Sequence, residues 1–124
     1  MIYCLDKNNG SLLWQKMAYK GVPKQKRHPK SSHANSTMAT DGNYVVAFFG
    51  SEGLYCYDMD GNLQWEKDFG LLRSVFFVAE DAEWEFASSP IIHDGAVVIQ
   101  CDVMKNSFVA SYSVASGKEI WRAE

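Results

Sequence analysis

Apolar and polar positions alternate along this chain in short runs, and the runs recur. Ile2-Tyr3-Cys4-Leu5 leads through "DKNNG" into Leu12-Leu13-Trp14. The phrases "LYCYDMDGNLQW" (Leu54 to Trp65) and "VASYSVASGKEIW" (Val109 to Trp121) restate it. In each copy a glycine stands four residues before a tryptophan: Gly10 and Trp14, Gly61 and Trp65, Gly117 and Trp121. Alternation with period two predicts half-buried strands. Asn9-Gly10, Asp60-Gly61 and Ser116-Gly117 predict tight turns, because glycine accepts a positive φ that other residues resist. Each phrase therefore reads strand, turn, strand.

A second hairpin precedes the last two phrases. "NSTMATDGNYVVAFFG" and "SSPIIHDGAVVIQCD" align on Asp41-Gly42 and Asp94-Gly95, which sets Ser36 against Ser89. Each unit then has four antiparallel strands. The pattern places them at 36–40, 43–49, 53–58 and 62–67, and again at 88–92, 96–102, 107–113 and 118–122. The first copy keeps only the last two. The repeated tryptophans fall 51 and 56 residues apart. A four-stranded sheet recurring at roughly this period is the signature of a β-propeller blade. A β-sandwich needs no repeated sequence, and a β-helix repeats at a much shorter period. The expected fold is all-β, about 2.5 blades of a propeller, with a half blade at 1–15 and blades at 34–67 and 87–122 of a single domain, 1–124. Lys16 to His33 and Asp68 to Phe86 read as longer loops, the second with room for a short helix or an extra strand at "FFVAEDAEWEF".

Bulk composition fits a globular domain: 47% hydrophobic and 22% charged residues. No apolar run is long and uninterrupted enough for a membrane-spanning helix. Ile2 to Leu5 reads as a strand rather than as part of a secretory signal. The net charge of -3 is uneven. Residues 1–40 carry seven Lys/Arg against the single acid Asp6, and residues 41–124 carry five against fourteen acids. The basic cluster Lys16, Lys20, Lys24, Lys26, Arg27 and Lys30 reads first as a solvated loop. It has few aromatic residues to stack bases, so no nucleic-acid partner is expected. Polyanion binding stays an alternative.

Cys4, Cys56 and Cys101 are an odd count without a CxxC, which argues against disulfides and zinc. Cys4 and Cys56 hold equivalent repeat positions and read as small buried hydrophobes. His28, His33 and His93 lack ligand spacing. Glu80, Asp81, Glu83 and Glu85 lack the glycine and alternating Asp/Asn of a calcium loop and read as an exposed acidic loop, able to pair loosely with the basic one. No nucleophile or phosphate-loop motif stands out. No catalytic, metal or cofactor residue is expected.

"CLDKNNGSLLW" (Cys4 to Trp14) resembles the tryptophan-docking motif of PQQ-like propellers, a small residue, then Asp, Gly and Trp. That family includes quinoprotein alcohol dehydrogenases and BamB-like outer-membrane assembly lipoproteins. The resemblance covers nearly the whole chain. It implies that Asp6, Gly10, Trp14, Asp58, Gly61, Trp65, Gly117 and Trp121 are structural repeat positions, with each tryptophan buried against a neighbouring blade. Cys4, Cys56 and Ser111 replace the usual Ala, Ser113 replaces the Asp, and the second copy is one residue shorter before Gly61. The family's enzymes use adjacent cysteines and a cofactor pocket. This chain has no Cys-Cys pair. The resemblance thus implies a non-catalytic scaffold of the bacterial periplasm or envelope, binding protein through rim loops. A fragment of a PQQ-dependent dehydrogenase is the alternative.

Propellers close with about four to eight blades. A stack of this size leaves two apolar blade faces uncovered. The expectation is a piece of a longer protein whose remaining blades cover them, or else self-association into a ring.

Overall fold

A computed structural model of the protein describes residues 1–26, 28–30, 32–76, 79–83 and 87–124. Its strands are β1 (Ile2–Leu5), β2 (Leu12–Lys16), β3 (Ala39–Thr40), β4 (Tyr44–Phe48), β5 (Leu54–Asp58), β6 (Leu63–Lys67), β7 (Val75–Phe76), β8 (Ala79–Glu83), β9 (Ile91–His93), β10 (Ala96–Cys101), β11 (Phe108–Ser113) and β12 (Glu119–Ala123). They form antiparallel meanders: β1-β2, then β3-β4-β5-β6, then β9-β10-β11-β12, with β7-β8 as a separate pair. The fold is all-β and matches partial propeller blades.

The repeat is visible in the register. Cys4 pairs with Trp14, Cys56 with Trp65 and Ser111 with Trp121. Each outer hairpin slips by one residue beside that pair, between Cys4 and Leu5, Cys56 and Tyr57, and Ser111 and Tyr112. The turns are closed by the same backbone bonds. Gly10 N–H donates to Asp6 O at 2.8 Å, Gly61 N–H to Asp58 O at 3.0 Å and Gly117 N–H to Ser113 O at 2.8 Å. The third turn needs no carboxylate to form.

Two sequence expectations are corrected. The innermost strands are shorter than the runs 36–40 and 88–92. Ser36 and Thr37 bond across to the next sheet instead of extending their own: Ser36 Oγ–H donates to Ser88 O at 2.8 Å, and Thr37 N–H donates to Ser89 Oγ at 2.9 Å. The backbone at Glu80, Asp81 and Glu83 is the extra strand for which the segment had room, rather than an exposed loop, and it pairs with Val75-Phe76. Glu85 lies outside the described residues.

Side chains fill two seams between successive sheets. Ile2 packs with Ala47, Tyr55 and Tyr57, flanked by Trp14 and Phe49. Val46, Phe48, Leu54 and Cys56 pack against Val97, Ile99, Cys101, Phe108, Ala110 and Tyr112, flanked by Trp65 and Phe69. β5 serves both seams, its alternate side chains pointing to opposite neighbours. This is why "LYCY" is buried throughout although its sequence alternates little in polarity.

Asp58 braces its turn. Its carboxylate accepts from Asn62 N–H at 2.8 Å, Asp60 N–H at 3.0 Å, and the side-chain amides of Asn62 and Gln64, each at 3.0 Å. The Asn62 side chain, then its backbone N–H, holds the acid below the ordinary Asp value. A carboxyl depressed in the folded state stabilises above the unfolded value, about 3.9, and loses that contribution as pH falls through the folded value. Asp58→Ala is therefore expected to melt below the wild type at pH 7, with the two melting temperatures converging as the pH falls through the folded value of the acid. A gap that persists at low pH in thermal melts would contradict this.

Candidate functional site: the seams and the loop rim

The structure brings four of the repeat residues together in pairs. The Trp14 indole N–H donates to Met59 O at 2.9 Å, and the Trp65 indole N–H donates to Val114 O at 2.7 Å. Both acceptors lie in the turn of the following sheet. Each indole packs closely against a glycine of that turn. A Cβ built on Gly61 would stand 2.8 Å from Trp14, and one on Gly117 would stand 2.7 Å from Trp65. The glycine is thus required twice, by its φ near +79° or +69° and by the ring that covers it. Gly10 and Trp121 are not brought together with anything equivalent. A Cβ on Gly10 would meet nothing within 4 Å, and Trp121 is 45% exposed. Asp6 and Asp58 brace turns, Asp6 through Asn8 N–H at 2.7 Å. The carbonyl acceptors at Met59 and Val114 were not legible in the sequence, because any residue type supplies one.

Cys56 and Cys101 sit in the second seam, whereas Cys4, read from the sequence as a buried hydrophobe, is only half-buried. Cys56 is fully buried with its thiol 3.5 Å from Val114 O, and Cys101 is fully buried in the same core. Burial pushes both thiols up to about 12. A thiol held protonated is a poor nucleophile. Cys56 and Cys101 are expected to resist Ellman's reagent at pH 8 in the folded protein and to react on unfolding; prompt titration of all three cysteines would refute this.

Opposite the glycine turns, the loops gather on one rim. Lys24, from the segment after β2, forms an ion pair with Asp68, from the segment after β6, at 2.7 Å. Lys24 N–H donates to Oε1 of buried Glu52 at 2.7 Å. Glu52 belongs to the tight turn between β4 and β5, which Gly50 and Gly53 allow with φ of +58° and +114°. Its neighbour Ser51 accepts from Leu72 N–H at 2.9 Å, and Met104 N–H donates to Arg73 O at 3.0 Å. Asp68, exposed and bonded first by Lys24, then by Gly70 N–H, is held below its ordinary value. Tyr55 O–H donates to Glu52 O at 2.7 Å, and burial raises its phenol. The basic loop is therefore tied to Asp68 and Glu52. The side chains of the acidic run at 80–85 lie outside the described residues.

Among the described residues, hollows on this rim include one lined by Tyr19, His33, Phe49 and Glu52, one by Lys24, Glu52, Tyr55, Glu66 and Lys67, and one by Leu71, Arg73, Val103 and Met104. Around them Met17 is 56% exposed, Val22 88%, Leu71 55% and Met104 49%. The polar turn residues Ser51 and Glu52 were missed in the sequence. Their only signal is the pair of glycines that brackets them.

Residues 1–124 match the family described as outer membrane protein assembly factor BamB. The chain belongs to that family. None of the curated proteins is a match to it. Among solved structures it is similar to a europium-containing methanol dehydrogenase, with a TM-score of 0.64 at 15% identity over 98% of this chain and 20% of that one. It is similar to quinohemoprotein alcohol dehydrogenase from Comamonas testosteroni, with a TM-score of 0.58 at 13% identity over 98% and 18%. BamB from Moraxella catarrhalis gives 0.50 at 13% identity over 98% and 45%. These likenesses concern the fold, and they include both enzymes and an assembly factor. The chain spans about a fifth of the dehydrogenases and under half of that BamB. The two buried thiols belong to a seam between sheets, and among the described residues no three His, Cys, Asp or Glu side chains gather as a metal site. Among the described residues no helix is long and apolar enough to cross a membrane.

Proposed function

We propose that the chain is a section of a non-catalytic propeller scaffold of the cell envelope that holds a protein partner on its loop rim. One observation carries the reading. The segments after β2 and β6, unrelated in sequence, are clamped together by Lys24–Asp68 and Glu52 and hold Met17, Tyr19, Val22 and Leu71 out to solvent. Exposed apolar and aromatic groups on a fixed polar frame are what a protein interface uses. The family description, an outer membrane protein assembly factor, supports a role in protein contacts. The test is recovery of partners from envelope extract by the intact chain and by a version with 17–33 and 68–74 replaced by Gly/Ser linkers. Loss of specific partners in the replaced version is expected, and equal recovery would sink the proposal.

The likeness to two alcohol dehydrogenases carries a second reading, a section of a quinoprotein enzyme. It requires a cofactor pocket supplied by chain beyond these residues. Dye-linked alcohol oxidation by the longer protein with PQQ and Ca²⁺ would favour it.

A further inference from the structure

One buried carboxylate on the rim has no cation. Glu52 is 7% exposed, and among the described residues its side chain takes a single hydrogen bond, from Lys24 N–H to Oε1 at 2.7 Å, and no ion pair. Oε2 is left without a donor. Two lysines line the same hollow, yet both ammonium groups are engaged elsewhere. Lys24 Nζ pairs with Asp68 at 2.7 Å, and Lys67 Nζ stands over the Tyr112 ring, 4.8 Å from its centre. Glu66 adds a second carboxylate to the wall. A buried charge is costly unless it is paired. Glu52 belongs to the middle four-stranded sheet, which is packed on both flanks.

The hollow suits a side-chain head group. It holds about 170 Å³, below the roughly 300–1,000 Å³ that a drug-sized ligand takes. Tyr19 and Tyr55 give it an aromatic wall. Tyr55 is fixed there by its bond to Glu52 O at 2.7 Å and by Phe49, whose ring centre is 6.1 Å away. An aromatic wall beside a carboxylate without a counter-charge fits a cation carried on an apolar stem.

We propose that this hollow takes a cationic side chain, arginine or lysine, of the protein held on the rim. The charge lies against Glu52 and Glu66, and the stem lies along Tyr19 and Tyr55. The proposal rests on the rim reading and names the partner's chemistry, a basic segment. An acidic segment would meet Glu52, Glu66 and Asp68, with both lysines already engaged. Lys24 N–H holds the Glu52 carboxylate in place before a partner arrives, so binding has little left to order.

Saturation-transfer NMR on the intact protein tests this, with Nα-acetyl-arginine amide and Nα-acetyl-lysine amide as probes. Both are expected to bind with a Kd of about 1 mM, and the neutral isostere Nα-acetyl-citrulline amide at least about tenfold more weakly. Glu52→Gln keeps an acceptor for Lys24 N–H and removes the charge. It should weaken both cationic probes by at least about tenfold. If circular dichroism shows that variant unfolded, Glu66→Gln, at an exposed position, takes its place with an expected loss of about threefold. Equal binding of the arginine and citrulline probes, or no loss in the variant, would overturn the proposal. So would spermidine binding more tightly than either probe, which would assign the hollow to a free polyamine. Loop-dependent partner recovery that Glu52→Gln leaves unchanged strikes this inference alone, whereas recovery indifferent to the loops strikes the rim reading.

Discussion

Trp65→Ala is expected to cost about 3 kcal/mol of stability, the low end for removing a packed tryptophan because the ring is only partly buried. Three losses combine. The ring leaves a gap over Gly117, the bond to Val114 O disappears, and the edge of the core around Phe69 and Tyr112 opens to water. Val114 itself is buried, so its carbonyl keeps only the weak Cys56 thiol as donor. Leaving a buried acceptor poorly satisfied is costly in its own right. Urea denaturation should show a lower midpoint. Trp121→Ala provides the contrast. The same residue at the same repeat position, but half exposed and uncovered, should change the stability of dilute protein by no more than about 0.5 kcal/mol. Equal losses at the two sites would refute the view that the following turn, rather than the strand pair, is what the tryptophan stabilises.

Gly117→Ala should destabilise by about 2–3 kcal/mol, while Gly10→Ala should cost about 1 kcal/mol. The two glycines have nearly the same backbone, φ of +69° and +73°, so the penalty for a side chain in that conformation is shared. They differ in what the methyl group would meet. At Gly117 it would meet the Trp65 ring at 2.7 Å, and at Gly10 nothing lies within 4 Å. The difference between the variants therefore isolates the docked ring. A double variant, Trp65→Ala with Gly117→Ala, should cost less than the sum of its parts, since removing the ring removes the clash. Strict additivity in denaturation midpoints would contradict the contact.

The strands were legible because their cause is local. "LYCYDMDGNLQW" contains its own alternation, turn and closing aromatic, and β5 and β6 follow it to within a residue. The positions of the tryptophans were legible for the same reason. The partner of each was not, since a repeat pattern states which residues are equivalent and not which turn an indole reaches. The rim was least legible. Lys24, Glu52 and Asp68 lie in segments without internal repetition, and their meeting depends on how successive sheets are placed. Ser36 and Thr37 looked like strand because their neighbours are, but their bonds to Ser88 and Ser89 compete with the sheet's own ladder. The acidic run read as loop from its charge, which says nothing of the Val75-Phe76 backbone edge beside it.

Placing each indole on the turn that follows has a consequence for how the molecule comes apart. Among the described residues the two indole joints link successive sheets, so the sheets are expected to couple as a one-dimensional cooperative array. A single sheet in isolation keeps neither joint. The smallest autonomous unit is then a pair of sheets with one joint between them. The central sheet, held on both flanks, is expected to be the last to exchange its amide hydrogens with solvent.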